Sequence, residues 1–193
     1  HVAMSLKEFE EFTDSLKFED GTVCAYDNPV TNKMCILIDT ANGHMLSIYE
    51  AIKKCWNVWQ GEMFPDIYVG NIATPDVYKY ICDNDILCKA IKGIRVGVGS
   101  GSACTTKKST GVFYSLPKLI CQCNDIRNRY LEDMPLIIAD GGFYEYSDIC
   151  LALALGADYV MMGKRFAETH EACGPLLILD SDTKLEYDPE TYI

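Results

Sequence analysis

The chain has 193 residues, of which 49% are hydrophobic and 23% are charged, and its formal net charge is −11. This size and composition suit a single folded domain spanning 1–193, and the acidic charge argues against nonspecific binding to nucleic acid or to an anionic membrane. No apolar run reaches the ~20 residues that a membrane-spanning helix needs.

Short apolar segments alternate with amphipathic helical segments along most of the chain. The apolar segments predict strands, of which the first is the weakest: 23–26, 34–38, 67–69, 94–96, 136–139 and 159–162. The periodic segments predict helices: about 5–15, 46–60, 75–86, 115–131 and 146–155. The polar stretches 16–33 and 180–193 are expected to be loops or a tail. Repeated strand–helix units predict an α/β fold with a parallel sheet.

Residues suited to binding or chemistry follow five successive predicted strands. They are Asp39, Asn71, Cys104, Asp140 and Gly163. Sites at the carboxyl ends of strands are typical both of a doubly wound open sheet and of a closed (β/α)8 barrel. Contributions from this many different strands favour the barrel, although the pattern alone leaves both architectures open.

A glycine-rich loop follows the fourth predicted strand and runs from Gly97 to Thr106 with the sequence GVGSGSACTT. Its glycines allow backbone N–H and C=O groups to turn toward an anion or a cation. A cysteine among such groups forms a thiolate more readily, so Cys104 is a candidate nucleophile. The other nine of the ten cysteines are scattered without a C-x-x-C pair, which predicts buried, reduced thiols in a cytoplasmic protein.

This loop and five further segments, in the same order, resemble the IMP dehydrogenase / GMP reductase family. The five segments are 38–44 (IDTANGH), 69–74 (VGNIAT), 138–142 (IADGG), 148–157 (DICLALALGA) and 160–163 (VMMG). The resemblance covers roughly residues 33–175 and implies a (β/α)8 barrel. A complete barrel takes about 250 residues, so we expect an incomplete one with about six strands, the third to the eighth, and no regulatory insert.

The resemblance also implies roles for the glycine-rich loop. Cys104 would attack C2 of a purine nucleotide to form a covalent thioimidate, and Thr106 would help to activate water or ammonia. The backbone carbonyls of Gly99, Gly101 and Cys104 would hold a monovalent cation such as potassium. A plain tight turn remains the alternative for this carbonyl set.

The nucleotide itself would be held at the ends of the later strands. Ser102 and the backbone N–H groups of Gly141, Gly142 and Gly163 would bind its phosphate, because such groups at loop–helix junctions favour anions. Asp140 would accept hydrogen bonds from the ribose hydroxyls. The family has a small residue after Gly163, whereas this chain has Lys164 and Arg165, which either add phosphate contacts or block the cradle.

Residues after the second and third predicted strands would face the dinucleotide and the base. Asp39, Asn42 and Gly43 resemble the dinucleotide side of the family's site. A helix cap is the alternative for Asp39. Asn71 would contact the base or merely close a turn.

Three features favour the GMP reductase branch, with NADPH as cofactor, over IMP dehydrogenase with NAD. Asn42 stands where dehydrogenases usually carry histidine, 110–112 (TGV) follows the cysteine at reductase spacing, and 1–5 stands where reductases read H-K-H-Y-S. Ser100 points the other way, because reductases often have proline there.

One departure leaves a third interpretation open. If His1 aligns with the first histidine of the reductase motif, Val2 stands where the family has its catalytic lysine, so the chain is also interpretable as a degenerate, non-catalytic nucleotide-binding relative. Family analogy implies GMP or IMP as ligand and a homo-oligomer, which in the family is a tetramer.

Overall fold

The structure is a computed structural model. It describes residues 2–15, 35–40, 42–59, 65–101, 111, 113–130, 134–169, 171–172, 177–178 and 186–187.

Six parallel strands form one sheet, and their spatial order is their order in the chain. They are β1 (Val2–Met4), β2 (Cys35–Asp39), β3 (Asp66–Ile72), β4 (Ile91–Val96), β5 (Leu136–Asp140) and β6 (Tyr159–Met161). Each connection moves one place in the same direction, which is how a (β/α)8 barrel is wound and not how a doubly wound sheet reverses at its centre. The α/β prediction is confirmed, and the sheet is that of an incomplete barrel.

Helices connect the strands of this sheet. They are α1 (Leu6–Ser15), α2 (Leu46–Trp59), α3 (Pro75–Cys82), α4 (Asp85–Ala90), α5 (Leu116–Arg127) and α6 (Tyr146–Ala154). Pro75 lies in the first turn of α3, where its missing N–H costs nothing. Glu145 and Asp148 form a capping box at the start of α6.

The core lies against the sheet and is mainly aliphatic. Alternate residues along β2 and β5, such as Ile36, Ile38, Ile137 and Ala139, are fully buried, whereas their neighbours are partly exposed. A strand presents successive side chains to opposite faces, so β2 and β5 each have one face that is covered by the core. Tyr78 anchors this core to the start of β5 by donating its hydroxyl to the carbonyl oxygen of Pro135 at 2.6 Å.

One predicted helix and one strand differ between the sequence analysis and the structure. The helix predicted over 75–86 is two helices, because the side chain of Asn84 accepts the Leu87 amide at 3.0 Å and starts α4. Strand β1 was not expected, since three residues carry little pattern and its pairing with β2 defines it. The strand predicted at 23–26 lies outside the described residues.

The chain divides into two units, 1–161 and 162–193. The first contains the sheet above. The second contains α7 (Lys164–Ala167) and an antiparallel pair of short strands, β7 (Leu177–Ile178) and β8 (Glu186–Tyr187). Strand β8 lies in the stretch expected to be loop or tail. The described part of the chain contains no helix long and apolar enough to cross a membrane.

Candidate functional site

Polar side chains from the carboxyl ends of four neighbouring strands meet in one network. Asp39 ends β2, Asn71 lies near the end of β3, and Asp140 ends β5. The strand register aligns β2, β3 and β4, because Asp39 is opposite Gly70 and Gly70 is opposite Arg95. On β5 the partner of Arg95 is Ile138, two residues before Asp140. The structure therefore brings together three of the predicted site residues and adds Arg95 of β4 to them.

Arg95 is the centre of this network. It is only 8% exposed, and its guanidinium forms an ion pair with the Asp39 carboxylate. Its Nε donates to Oδ1 of Asn71 at 2.7 Å and lies 3.7 Å from Oδ2 of Asp140. A buried charge is tolerated only when it is paired and hydrogen-bonded, and these contacts meet that requirement.

The Asn71 side chain links Arg95 to Asp140 by hydrogen bonds. Its Nδ2 group donates to Oδ2 of Asp140 and to the carbonyl oxygen of Gly97, each at 2.7 Å. Among the described residues, no group donates to the other carboxylate oxygen of Asp140. One oxygen of this partly exposed carboxylate is therefore held by the protein, and the described residues leave the other available.

Two glycine-containing loops pack closely beside Asp140. The Ser100 hydroxyl donates to the backbone carbonyl of Asp140 at 2.8 Å. Gly141 and Gly142 have φ values of 83° and 84°, and a Cβ on either would lie within 3.0 Å of the backbone of Ser100 or Gly101. Only glycine fits both the conformation and the contact.

The backbone amides of these glycines differ in availability. The Gly141 N–H donates to the carbonyl oxygen of Met161 at 3.2 Å. No described carbonyl accepts from the Gly142 N–H. Of the Gly141 and Gly142 amides, both predicted to bind phosphate, only the Gly142 amide is therefore left available by the described residues.

An open cleft of about 350 Å³ adjoins the same loops. One side is formed by Gly99, Ser100, Gly141 and Gly142, and the rest is mostly apolar: Phe113, Leu116, Pro117, Ile120, Phe143, Leu151, Ala152 and Leu155. This size lies within the range of small-molecule sites. Asp140 is not part of its lining, so the Asp140 carboxylate and this cleft are separate features.

The loop after β2 is fixed to the loop after β3. The Gly43 amide donates to the Asn71 carbonyl at 2.9 Å, and a Cβ on Gly43 would lie 2.7 Å from that oxygen. The Asn42 side chain accepts the His44 amide at 3.2 Å and is otherwise exposed. Asp39 is half-exposed, so a carboxylate and an amide side chain face solvent at this edge.

The His44 ring forms a further hydrogen bond between the same two loops. Its Nε2 accepts the Ala73 amide at 3.0 Å, which requires an unprotonated nitrogen. Burial lowers the pKa of His44, and the smaller effect of Asp76 opposes this. The contact is therefore stable in neutral solution.

Several predicted site residues cannot be located in this network. Ser102, Cys104 and Thr106 lie outside the described residues, and of the three residues predicted to hold a cation the structure describes Gly99 and Gly101. Gly163 belongs to the second unit. Lys164 and Arg165 lie near Glu168, at 3.9 and 3.8 Å, on the exposed helix α7. Among the described residues no cluster of His, Cys, Asp and Glu forms a metal site.

The described cysteines are poor nucleophiles where they are buried. Burial raises the pKa of Cys82 and Cys123 to about 12, so their thiols stay protonated. Cys55 is also buried, whereas Cys150 is exposed. The prediction of buried thiols holds for the first three and is wrong for Cys150, which lies on the exposed side of α6.

Arg95 is the functional residue that sequence reasoning missed. Its signal was a cation in the middle of the predicted apolar strand 94–96 (IRV). A charge at a strand position buried on both sides needs a partner, and acidic residues ended the strands around it.

Comparison with known proteins identifies relatives of this chain. The profile of the IMP dehydrogenase / GMP reductase domain matches residues 30–188. IMP dehydrogenase of Chlorobaculum parvum is 35% identical over 147 residues, which are 75% of this chain and 27% of that protein. IMP dehydrogenase of Cryptosporidium parvum is 36% identical over 152 residues, which are 79% and 35% of the two chains.

Two GMP reductases are also similar. GMP reductase of Vibrio cholerae is 32% identical over 154 residues, or 79% of this chain and 41% of that protein. The crystal structure of a GMP reductase from Trypanosoma brucei has a TM-score of 0.61 and 27% identity, covering 76% of this chain and 30% of the other. The chain thus spans between about a quarter and two fifths of the length of these relatives.

Proposed function

Because the chain belongs to the IMP dehydrogenase / GMP reductase family, we propose that it forms part of an NADPH-dependent oxidoreductase that converts GMP to IMP and ammonia. The observation that carries the nucleotide site is the Asp140 carboxylate, with one oxygen held by Asn71 and the other open. The reductase direction is supported by Asn42, which stands on the exposed loop beside Asp39.

In this proposal Asp140 binds the ribose of the nucleotide. A carboxylate accepts hydrogen bonds from both hydroxyls of a diol, and these bonds are stronger than those between neutral groups. The Gly142 amide binds the phosphate together with Ser102. Asn71, which holds Asp140, lies near the base.

Cys104 is the proposed nucleophile. Its thiolate forms a bond to C2 of GMP, the exocyclic amino group leaves as ammonia, and Thr106 assists the proton transfer to it. A hydride added at C2 then gives a tetrahedral centre, from which the thiolate leaves as IMP forms. The overall balance is GMP, NADPH and two protons giving IMP, NADP⁺ and ammonium.

The chain's own residues fit the polar parts of a dinucleotide. NADPH supplies the hydride when it is bound. Asp39 and Asn42 offer a half-exposed carboxylate and an exposed amide, which suit hydroxyl and carboxamide groups. Gly43 holds their loop against β3. Potassium at the carbonyls of Gly99, Gly101 and Cys104 remains part of the proposal.

IMP dehydrogenase, with NAD as cofactor and XMP as product, is the second candidate. Its specific support is the name of the relatives at 35% and 36% identity, together with Ser100 at a position where reductases often have proline. A non-catalytic nucleotide-binding relative is the third candidate, supported by Val2. We also propose a cytoplasmic location and a homotetramer, both by family analogy.

Covalent trapping tests the nucleophile. A 2-halopurine ribonucleotide should react with the Cys104 thiolate, with loss of halide and a matching mass increase on one peptide. Cys104→Ala should abolish this adduct and turnover while leaving GMP binding measurable. The matched control is Cys150→Ala, which removes an exposed thiol from α6 and should leave trapping unchanged. Trapping or turnover that persists in Cys104→Ala contradicts the mechanism.

A further inference from the structure

Arg95 is the buried charged side chain among the residues that the structure describes, and its partners come from strands on both sides of β4. Asp39 of β2 and Asn71 of β3 lie on one side of it, and Asp140 of β5 lies on the other. These partners belong to the two halves of the proposed site. One guanidinium thus lies between the dinucleotide side and the mononucleotide side.

The contact with Asn71 determines which way its amide group faces. The Arg95 Nε is a donor and so requires the Asn71 carbonyl oxygen toward it, at 2.7 Å. The Nδ2 group then faces Asp140 and Gly97, both of which offer acceptors at 2.7 Å. A flipped amide would place a donor against the guanidinium and would lose both bonds.

We propose that Arg95 is a positioning residue that fixes the Asp39 carboxylate directly and the Asp140 carboxylate through Asn71. This inference rests on the proposed function, since it assigns Asp39 to the dinucleotide and Asp140 to the nucleotide. Its consequence is that one substitution weakens the binding of both ligands. Loss of the guanidinium also leaves two carboxylates with less compensating charge at one end of the sheet.

Lysine cannot reproduce this arrangement. The guanidinium is a planar fork whose Nε and terminal nitrogens donate along different directions, here to Asn71 and Asp39. An ammonium group is a point charge at the end of a flexible stem. Arg95→Lys should therefore keep the charge but lose the contact with either Asn71 or Asp39.

The test is calorimetric titration of the purified protein with GMP, IMP and NADPH, recording both the dissociation constant and the stoichiometry. Arg95→Met should weaken the mononucleotide and NADPH by roughly tenfold or more each, with unchanged stoichiometry. Arg95→Lys should fall between Arg95→Met and the unmodified protein. A merely structural role would lower the stoichiometry of active protein and leave the dissociation constants unchanged.

Arg127→Met is the matched control. Arg127 pairs with Asp158 at 2.5 Å near the start of β6, at the opposite end of the sheet. Its loss should lower the melting temperature and leave both dissociation constants within about twofold of the original. Equal effects of Arg95→Met and Arg127→Met on binding would overturn the inference.

A second variant separates the direct contact of Arg95 with Asp39 from its contact with Asp140 through Asn71. It also provides a test if Arg95→Met does not fold. Asn71→Ala should weaken GMP and IMP but not NADPH, because Arg95 still pairs with Asp39. The effects of Arg95→Met and Asn71→Ala on GMP binding should be less than additive. If Asn71→Ala weakens NADPH binding as much as GMP binding, the proposal that Arg95 acts on the two carboxylates by separate contacts is overturned. An unmodified protein that binds neither GMP, IMP nor NADPH overturns the proposed function and, with it, this inference.

Discussion

Replacing Asp140 by alanine should weaken nucleotide binding without unfolding the sheet. Oδ2 of Asp140 accepts from Asn71 at 2.7 Å and lies 3.7 Å from Arg95, and the side chain is 25% exposed. After the substitution Asn71 still donates to the Gly97 carbonyl, and Arg95 still pairs with Asp39. No buried charge is left without a partner, so the main loss is the open carboxylate oxygen.

The size of the effect follows from the kind of hydrogen bond that is lost. A hydrogen bond to a charged group contributes about 1.5–3 kcal/mol, which corresponds to a loss of roughly one to two decades in affinity. Asp140→Asn keeps the shape and one acceptor oxygen but removes the charge. Its dissociation constant should therefore lie between those of Asp140→Ala and the original protein.

Titration calorimetry with GMP and IMP at fixed salt measures these constants. Asp125→Ala is the matched control, because it removes an exposed carboxylate from the surface of α5 and changes the net charge equally. Its dissociation constants should be unchanged. A dissociation constant for Asp140→Ala equal to that of Asp125→Ala would refute the assignment of the ribose to Asp140.

Two further predictions concern stability. Arg127→Met should lower the free energy of unfolding by about 1–3 kcal/mol, because Arg127 joins α5 to the carboxylate of Asp158, and urea denaturation that shows no change contradicts this. Burial lowers the pKa of His44 from its ordinary 6.5, so the native state binds this proton less readily than the unfolded chain. The free energy of unfolding should therefore be highest above pH 6.5 and fall as the pH drops below it, and His44→Gln should reduce that fall between about pH 7.5 and about pH 5.5.

The strand-end residues show what the sequence alone can predict. Apolar segments followed by Asp39, Asn71 and Asp140 predicted both the parallel sheet and the edge where these side chains meet. Parallel strands align their carboxyl ends, so neighbouring strands need no further information to bring such residues together. The pairing of Asp39 with Arg95 could not be predicted in the same way, because it depends on strand register.

Other features depended on contacts that no local pattern records. Strand β1 has three residues and exists through its pairing with β2. The break between α3 and α4 depends on whether the Asn84 side chain caps a new helix or faces solvent. The hydrogen bond from the Gly141 amide to the Met161 carbonyl could likewise not be predicted from a local pattern, because these residues lie at the ends of different strands.

Product identity tests the central claim most directly. The purified protein is incubated with GMP and NADPH, and in parallel with IMP and NAD, while absorbance follows the dinucleotide and chromatography identifies the purine. The account predicts NADPH consumption with stoichiometric IMP and ammonia in the first reaction. NADH formation with XMP in the second reaction, and no ammonia in the first, would contradict it.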